Sequence, residues 1–236
     1  METSALLDLV QLIIDGDLNL ALRRLRSLPD LATMALPISK KQAPKADTFF
    51  VEIRHYMYGG DTALHMAAAA FSRPMAELLV SNGADCRAKN RRGAEPLHYA
   101  SDGKASNSKH QADVIKYLVS VGADPNAVDK SGVAPLHRAV RTRSLSAVLA
   151  LLDAGADLRL RNKSGSTPLH LAVQTTGASG SGSDNARQQQ ELIVKLLLER
   201  GARLTDQDSN GKTVKQSATS VWIQSVLATA TKSPDA

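Results

Sequence analysis

A Leu-His dipeptide returns four times along this 236-residue chain, and that recurrence constrains the fold more than any other feature. The four copies stand in Thr62-Ala63-Leu64-His65, Glu95-Pro96-Leu97-His98, Ala134-Pro135-Leu136-His137 and Thr167-Pro168-Leu169-His170. Their histidines are 33, 39 and 33 residues apart. A glycine lies five residues before each histidine (Gly60, Gly93, Gly132, Gly165). A Gly-Ala pair follows each one: Gly83-Ala84, Gly122-Ala123, Gly155-Ala156 and Gly201-Ala202. A period of this length means one small supersecondary unit made repeatedly, each copy burying its apolar face against the next.

The residues inside the unit give it a physical form. Thr62 and Thr167 can cap a helix start by accepting an orphan amide, and Pro96, Pro135 and Pro168 sit beside the cap, where a missing N–H costs nothing. Leu64, Leu97, Leu136 and Leu169 then enter the core. A second helix follows with apolar residues at helical spacing, such as Val114, Ile115, Leu118 and Val119, or Leu192, Ile193, Leu196 and Leu197. The glycines after it suit a left-handed stop. Glu95 and Ala134 replace threonine, so their two helices are expected to lose a cap and fray more easily.

With these motifs the chain resembles the ankyrin-repeat family, closely over residues 59–208 and loosely over most of the rest. The resemblance implies an all-α repeat solenoid: helix-turn-helix units joined by β-hairpin-like turns, with N- and C-terminal capping repeats. Residues 1–34, lacking Pro-Leu-His, read as an N-terminal capping helix pair. Residues 35–58 are an insertion, a basic loop followed by an aromatic finger. Residues 59–208 hold four repeats, with longer connections near 102–110 and 175–190. Residues 209–229 form a C-terminal cap, in which Val214, Lys215 and Gln216 stand in place of Pro-Leu-His and Val221, Trp222, Val226 and Leu227 close the last helix. Residues 230–236 are a loose tail.

Composition narrows the function classes. The single cysteine, Cys86, leaves no internal disulfide and makes a reducing compartment, the cytoplasm, the expected location. The apolar run Leu6–Ile14 is broken by Asp8 and Gln11 and is too short to span a membrane. No basic stretch precedes it, so a secretory leader is not expected. Catalytic patterns are missing: there is no HExxH and no GxSxG, and Gly211-Lys212-Thr213 has Asp206 where a P-loop needs a glycine. The resemblance makes the four repeated histidines structural hydrogen-bonding groups, not metal ligands. No cofactor, no metal and no enzymatic activity are expected.

What remains is binding. A net charge of +6 and a pI near 9.5 favour an acidic partner. In the resembled family, contacts come from hairpin tips and first helices. That marks Tyr58, Asp61, Arg91, Arg92, Lys130, Val133, Lys163 and Ser166 as tips, and Ala69, Ala70, Asp102, Gly103, Arg141, Thr142, Gln174 and Thr175 as groove positions. Four of the chain's seven Phe and Tyr residues fall in Phe49–Tyr58. Phe50, Tyr56 and Tyr58 there either anchor a partner or fold back to close the core. The expected function is a protein–protein interaction scaffold with an apolar N-terminal end and a basic middle. Nucleic acid or another anionic surface is the alternative partner, and a host-directed effector role is a further one. The sequence sets neither the partner's identity nor the oligomeric state.

Overall fold

The computed structural model describes residues 2–38, 49–103, 108–174 and 183–230. The first expected insertion is therefore seen over residues 35–38 and from Phe49 onward. Residues 104–107, 175–182 and 231–236, which carry most of the other two insertions and the tail, lie outside the described residues.

The protein is an all-α repeat solenoid. Helices α1 (Glu2–Asp15) and α2 (Leu18–Ser27) are followed by a 3-10 turn (Pro29–Ala32) and a short hairpin of β1 (Phe49–Phe50) and β2 (His55–Tyr56). The repeated units then contribute α3 (Ala63–Ala69) and α4 (Arg73–Ser81), α5 (Pro96–Ala100) and α6 (Ser108–Ser120), α7 (Pro135–Arg141) and α8 (Leu145–Asp153), and α9 (Pro168–Ala172) and α10 (Asp184–Glu199). Helices α11 (Val214–Ser217) and α12 (Val221–Ala230) end the stack. First helices form one row, α3 on α5 on α7 on α9 on α11, and second helices another, α4 on α6 on α8 on α10 on α12. Helix α1 packs on α3 and α2 on α4.

Two side chains per unit make this stacking possible. Leu64, Leu97, Leu136 and Leu169 are buried, each removing apolar surface worth about 2 kcal/mol. Two residues after each histidine, Ala67, Ala100, Ala139 and Ala172 are also buried. At the ends the match to solvent is less complete. Leu18, Leu20 and Leu28 are exposed on or beside α2, and Val221, expected to close the last helix, points to solvent while Ile223, Val226 and Leu227 do the burying.

The histidines are where neighbouring units meet. The amides of Thr62, Glu95, Ala134 and Thr167 each donate to Nδ1 of the histidine three residues on, at 3.1, 3.1, 3.2 and 3.2 Å. On the other side of the ring, Nε2 meets a carbonyl of the following unit: Ala94, Val133, Ser166 and Lys212, at 3.1, 3.0, 3.1 and 3.4 Å. An amide can only donate and a carbonyl can only accept, so each ring is neutral with its proton on Nε2. Glu95 and Ala134 lack the side-chain cap that Thr167 gives α9, yet the histidine still accepts the cap amide in both units. In the C-terminal unit Gln216 takes over, with Oε1 accepting from Thr213 N–H at 2.8 Å.

The turns are fastened by a second device. Asn90, Asp129, Asn162 and Asp208, three residues before each turn glycine, use Oδ1 to accept two amides of their own turn. Each turn then donates one amide back to the preceding turn: Arg91 to Gly59 O, Lys130 to Arg92 O, Lys163 to Ser131 O and Ser209 to Ser164 O, at 2.8–3.0 Å. This approach is why glycine recurs. Gly165 has φ +73°, and a Cβ there would lie 2.3 Å from Ser209 N. The left-handed conformation and the contact both exclude a side chain. The aspartates after Gly-Ala (Asp85, Asp124, Asp157) cap their own loops through Oδ1.

Two stability outcomes follow from these contacts. Gly165→Ala is expected to destabilise the chain at least twice as much as Gly83→Ala, which has positive φ but open space around the new methyl and should cost roughly 1 kcal/mol; urea midpoints measure both. Burial holds the imidazoles of His65 and His137 below their usual pKa and pushes His98 down to about 4. A histidine whose folded pKa is depressed favours the folded state above pH 6.5 and loses that contribution as pH falls toward 4. Thermal midpoints should therefore drop over this window. His98→Gln, which keeps the Gln216-type cap without a titrating ring, should melt near the wild type at pH 7.5 and show a shallower decline. An unchanged slope would remove His98 from the cause.

Candidate partner-binding site

The backbone bonds between turns place Tyr58, Arg91, Lys130 and Lys163 at equivalent positions in successive units, a single file along the edge of the solenoid. Arg92, Lys130 and Lys163 are exposed. Among the described residues none of these three lies within ion-pairing distance of a carboxylate. Their backbones are fixed by the Asn/Asp turns, so the charges sit on a rigid rail.

The finger begins as an extension of the first turn. Leu36 N–H donates to Asp61 O and Gly60 N–H to Leu36 O, both at 2.7 Å, and Ala35 bridges Thr62. Farther out, Phe49 pairs with Tyr56 and Phe50 with His55. Strand alternation then splits the aromatics. Phe50 and Met57 are buried, while Phe49 and Tyr56 face solvent with ring centroids 4.5 Å apart. Tyr58 lies next in line, its centroid 6.3 Å from that of Tyr56, with the Arg92 guanidinium over its face at 4.4 Å and that of Arg91 at 5.6 Å. The inner face of the finger covers the groove. The His55 ring meets Tyr99 edge-on at 4.7 Å, and residues 52–55 roof a cavity floored by Ala69, Ala70, Phe71 and Gly103. The inner face of the finger thus folds back onto the core, and its outer face is exposed.

Several expected contact residues are placed otherwise. Asp61 is fully buried and accepts from Tyr58 N–H (2.6 Å), Tyr99 O–H (2.8 Å) and Asn90 Nδ2 (2.9 Å), which corrects its reading as an exposed tip. Phe50 is core and cannot anchor a partner. Ser166 is buried and supplies the carbonyl to His137. Val133 is half-buried and does the same for His98.

The groove middle is not simply basic either. Arg141 donates to both oxygens of Asp102 at 3.1 Å, and Arg138 bridges Asp102 and Asp129 at 3.2 and 3.1 Å. Residue-by-residue transfer of the contact positions missed this neutralisation, because Asp102 and Arg138 become neighbours only when units stack. Asn90, Asp129, Asn162 and Asp208 carried a legible signal, the fixed interval to the turn glycine. Among the described residues no group of three or more His, Cys, Asp or Glu could hold a metal ion, and no helix is long and apolar enough to cross a membrane.

Comparison with known proteins agrees with this architecture. The family description Ankyrin repeats (3 copies) matches residues 40–129 and 103–208, well over half of the sequence. No curated protein matches it. Ankyrin repeats are in general protein–protein interaction modules, typically non-catalytic. By its repeats, its stacked helix pairs and this match, the chain belongs to the ankyrin-repeat family.

Proposed function

We propose that this protein is a non-catalytic scaffold that binds an acidic protein segment carrying an aromatic or apolar anchor. The observation that supports this reading is the row of Arg92, Lys130 and Lys163 on successive turns, exposed and without an ion pair among the described residues, headed by the Phe49–Tyr56–Tyr58 cluster. Rigid aromatics with arginine are the residue types that dominate binding energy at interfaces, and an ordered row of cations rewards an extended acidic chain. Arg141 contributes less, since Asp102 already takes its charge. We place the protein in the cytoplasm because its one cysteine forms no disulfide; the Cys86 thiol donates to Val121 O, and burial raises its pKa.

A second reading draws on the same rail. Exposed rings at the head of a basic row also suit single-stranded nucleic acid, where bases stack on aromatics and phosphates follow the cations. A direct comparison separates the two. A fluorescently labelled peptide of Glu and Asp with one central Trp, and an oligothymidylate of similar length, are titrated into the full chain. The acidic-segment reading expects the peptide to bind more tightly, with affinity falling as salt rises. Lys130→Ser/Lys163→Ser should weaken it by about tenfold, on the order of 1–2 kcal/mol for two surface pairs. Phe49→Ser/Tyr56→Ser should remove the preference for Trp over Ala in the peptide. Tighter binding of the oligonucleotide would reverse the ranking.

A further inference from the structure

We propose, resting on the acidic-segment reading above, that the segment lies extended along the turn tips with an acidic residue at every third position. Lys130 and Lys163 take successive acids, and Arg92 takes a third beside the aromatic anchor. The hydroxyls of Ser131 and Ser164 take its backbone.

The spacing comes from the way the turns are stitched. Each turn closes on itself, with Asp129 N–H donating to Val133 O and Asn162 N–H to Ser166 O, both at 3.1 Å. Each also donates to the turn before it, Lys130 N–H to Arg92 O at 2.8 Å and Lys163 N–H to Ser131 O at 2.9 Å. One unit therefore adds two hydrogen-bonded passes of chain. Passes joined in this way stand about 4.8 Å apart, so equivalent residues recur roughly every 10 Å. The packing distance of neighbouring helices, about 8–10 Å, agrees. A polyproline II chain rises about 3.1 Å per residue with three residues per turn, so it presents the same face about every 9.3 Å. In a β-strand the third residue on faces the other way, because the period there is two.

The chemistry of the tips separates an extended chain from a helix. An amphipathic helix docks by an apolar stripe. The tips beyond Tyr58 offer it none: Arg91, Arg92, Lys130, Ser131, Lys163 and Ser164 are all polar. A helix also satisfies its own backbone, whereas an extended chain carries amides and carbonyls that need partners. Ser131 and Ser164 are suited to supply them: both are exposed, and neither hydroxyl makes a hydrogen bond among the described residues. The carboxylate beside the row is already committed. Asp129 has Oδ1 taken by two turn amides and Oδ2 by Arg138. The tip after Lys163 is Ser209-Asn210, so the row of cations ends there. At the other end the Arg92 guanidinium lies 4.4 Å from the Tyr58 centroid, and the Tyr56 ring 6.3 Å from the same point. Guanidinium and Tyr56 ring are thus within about 11 Å, a step that three or four residues of extended chain cover.

The test titrates the full chain into fluorescein-labelled peptides of one length and composition, each with one Trp, three Glu and otherwise Ser. The Glu residues stand at every second, every third or every fourth position, and Trp is placed at either end. In its better orientation, the every-third peptide should bind about fivefold more tightly than the other two. A form of it with Pro after each Glu should bind at least as tightly, since Pro holds the polyproline II conformation in advance. Changing the Glu farthest from Trp to Gln should weaken binding to the wild type about threefold and leave binding to Lys163→Ser unchanged. Changing the Glu nearest Trp should still weaken binding to that variant. Ser131→Ala/Ser164→Ala should weaken the every-third peptide by about threefold. Equal affinity at all three spacings, lost in Lys130→Ser/Lys163→Ser, would leave the acidic-segment reading standing and overturn this inference. Loss of binding on introducing Pro, the mark of a helix, would do the same. Failure of every acidic peptide to bind would sink that reading and the spacing with it.

Discussion

The neutral imidazole shared between units is the contact on which the rest depends. Nδ1 fixes the start of one helix and Nε2 fixes the turn of the next unit, so a single ring sets both the internal geometry of a repeat and its spacing to its neighbour. The ring is buried, and a nitrogen left unpaired there would cost about 1–3 kcal/mol. The carbonyl it meets belongs to the same turn that carries the exposed cations, as with Ala94 after Arg92 and Val133 after Lys130. Holding the solenoid together and holding the rail in register are therefore one interaction. In such a stack each unit contacts only its neighbours, so a loosened histidine loosens one step of the rail first.

What was legible in the sequence is what repeats. The histidine, the leucine before it and the turn glycine recur because the same packing problem is solved in each unit. The leucine could be placed in the core from its position in the unit, and the histidine's structural role followed from the family resemblance. Asp61 defeated that logic because the residue after the turn glycine lies inward, as the buried Ala94 and Ser166 do in later units. Asn90, Tyr99 and the amide of Tyr58 close around it, and a position expected at a tip becomes core. The finger occurs once, so no periodicity could say which face is inward; strand alternation decides it, sending Phe50 and Met57 in and Phe49 and Tyr56 out. Asp102 sits at an insertion, and its pairing with Arg138 and Arg141 reaches across units.

That pairing redistributes charge in a way a count of basic residues does not show. Arg138 is largely buried, and without Asp102 and Asp129 its guanidinium would be desolvated and unmatched. The acid residues are therefore part of the stacking and unavailable to a partner. They also remove the attraction for anions from the middle of the groove and leave it at the turn tips, where Arg92, Lys130 and Lys163 face water. On the proposed reading, an acidic chain steered by this field would arrive along that edge.

The finger gives the two ends of the rail different chemistry. A bare ankyrin groove offers each unit the same kind of surface, so a partner could slide by one repeat at little cost. Here the outer face of the hairpin adds stacked rings to one end only, and Arg92 lies across Tyr58 where rings and rail join. A slip by one unit would withdraw an apolar anchor from Phe49 and Tyr56 while leaving the ionic contacts almost unchanged. On the proposed reading, position along the solenoid would be decided by the aromatic contact and strength by the cations, a division that a periodic sequence cannot achieve without an interruption of its period.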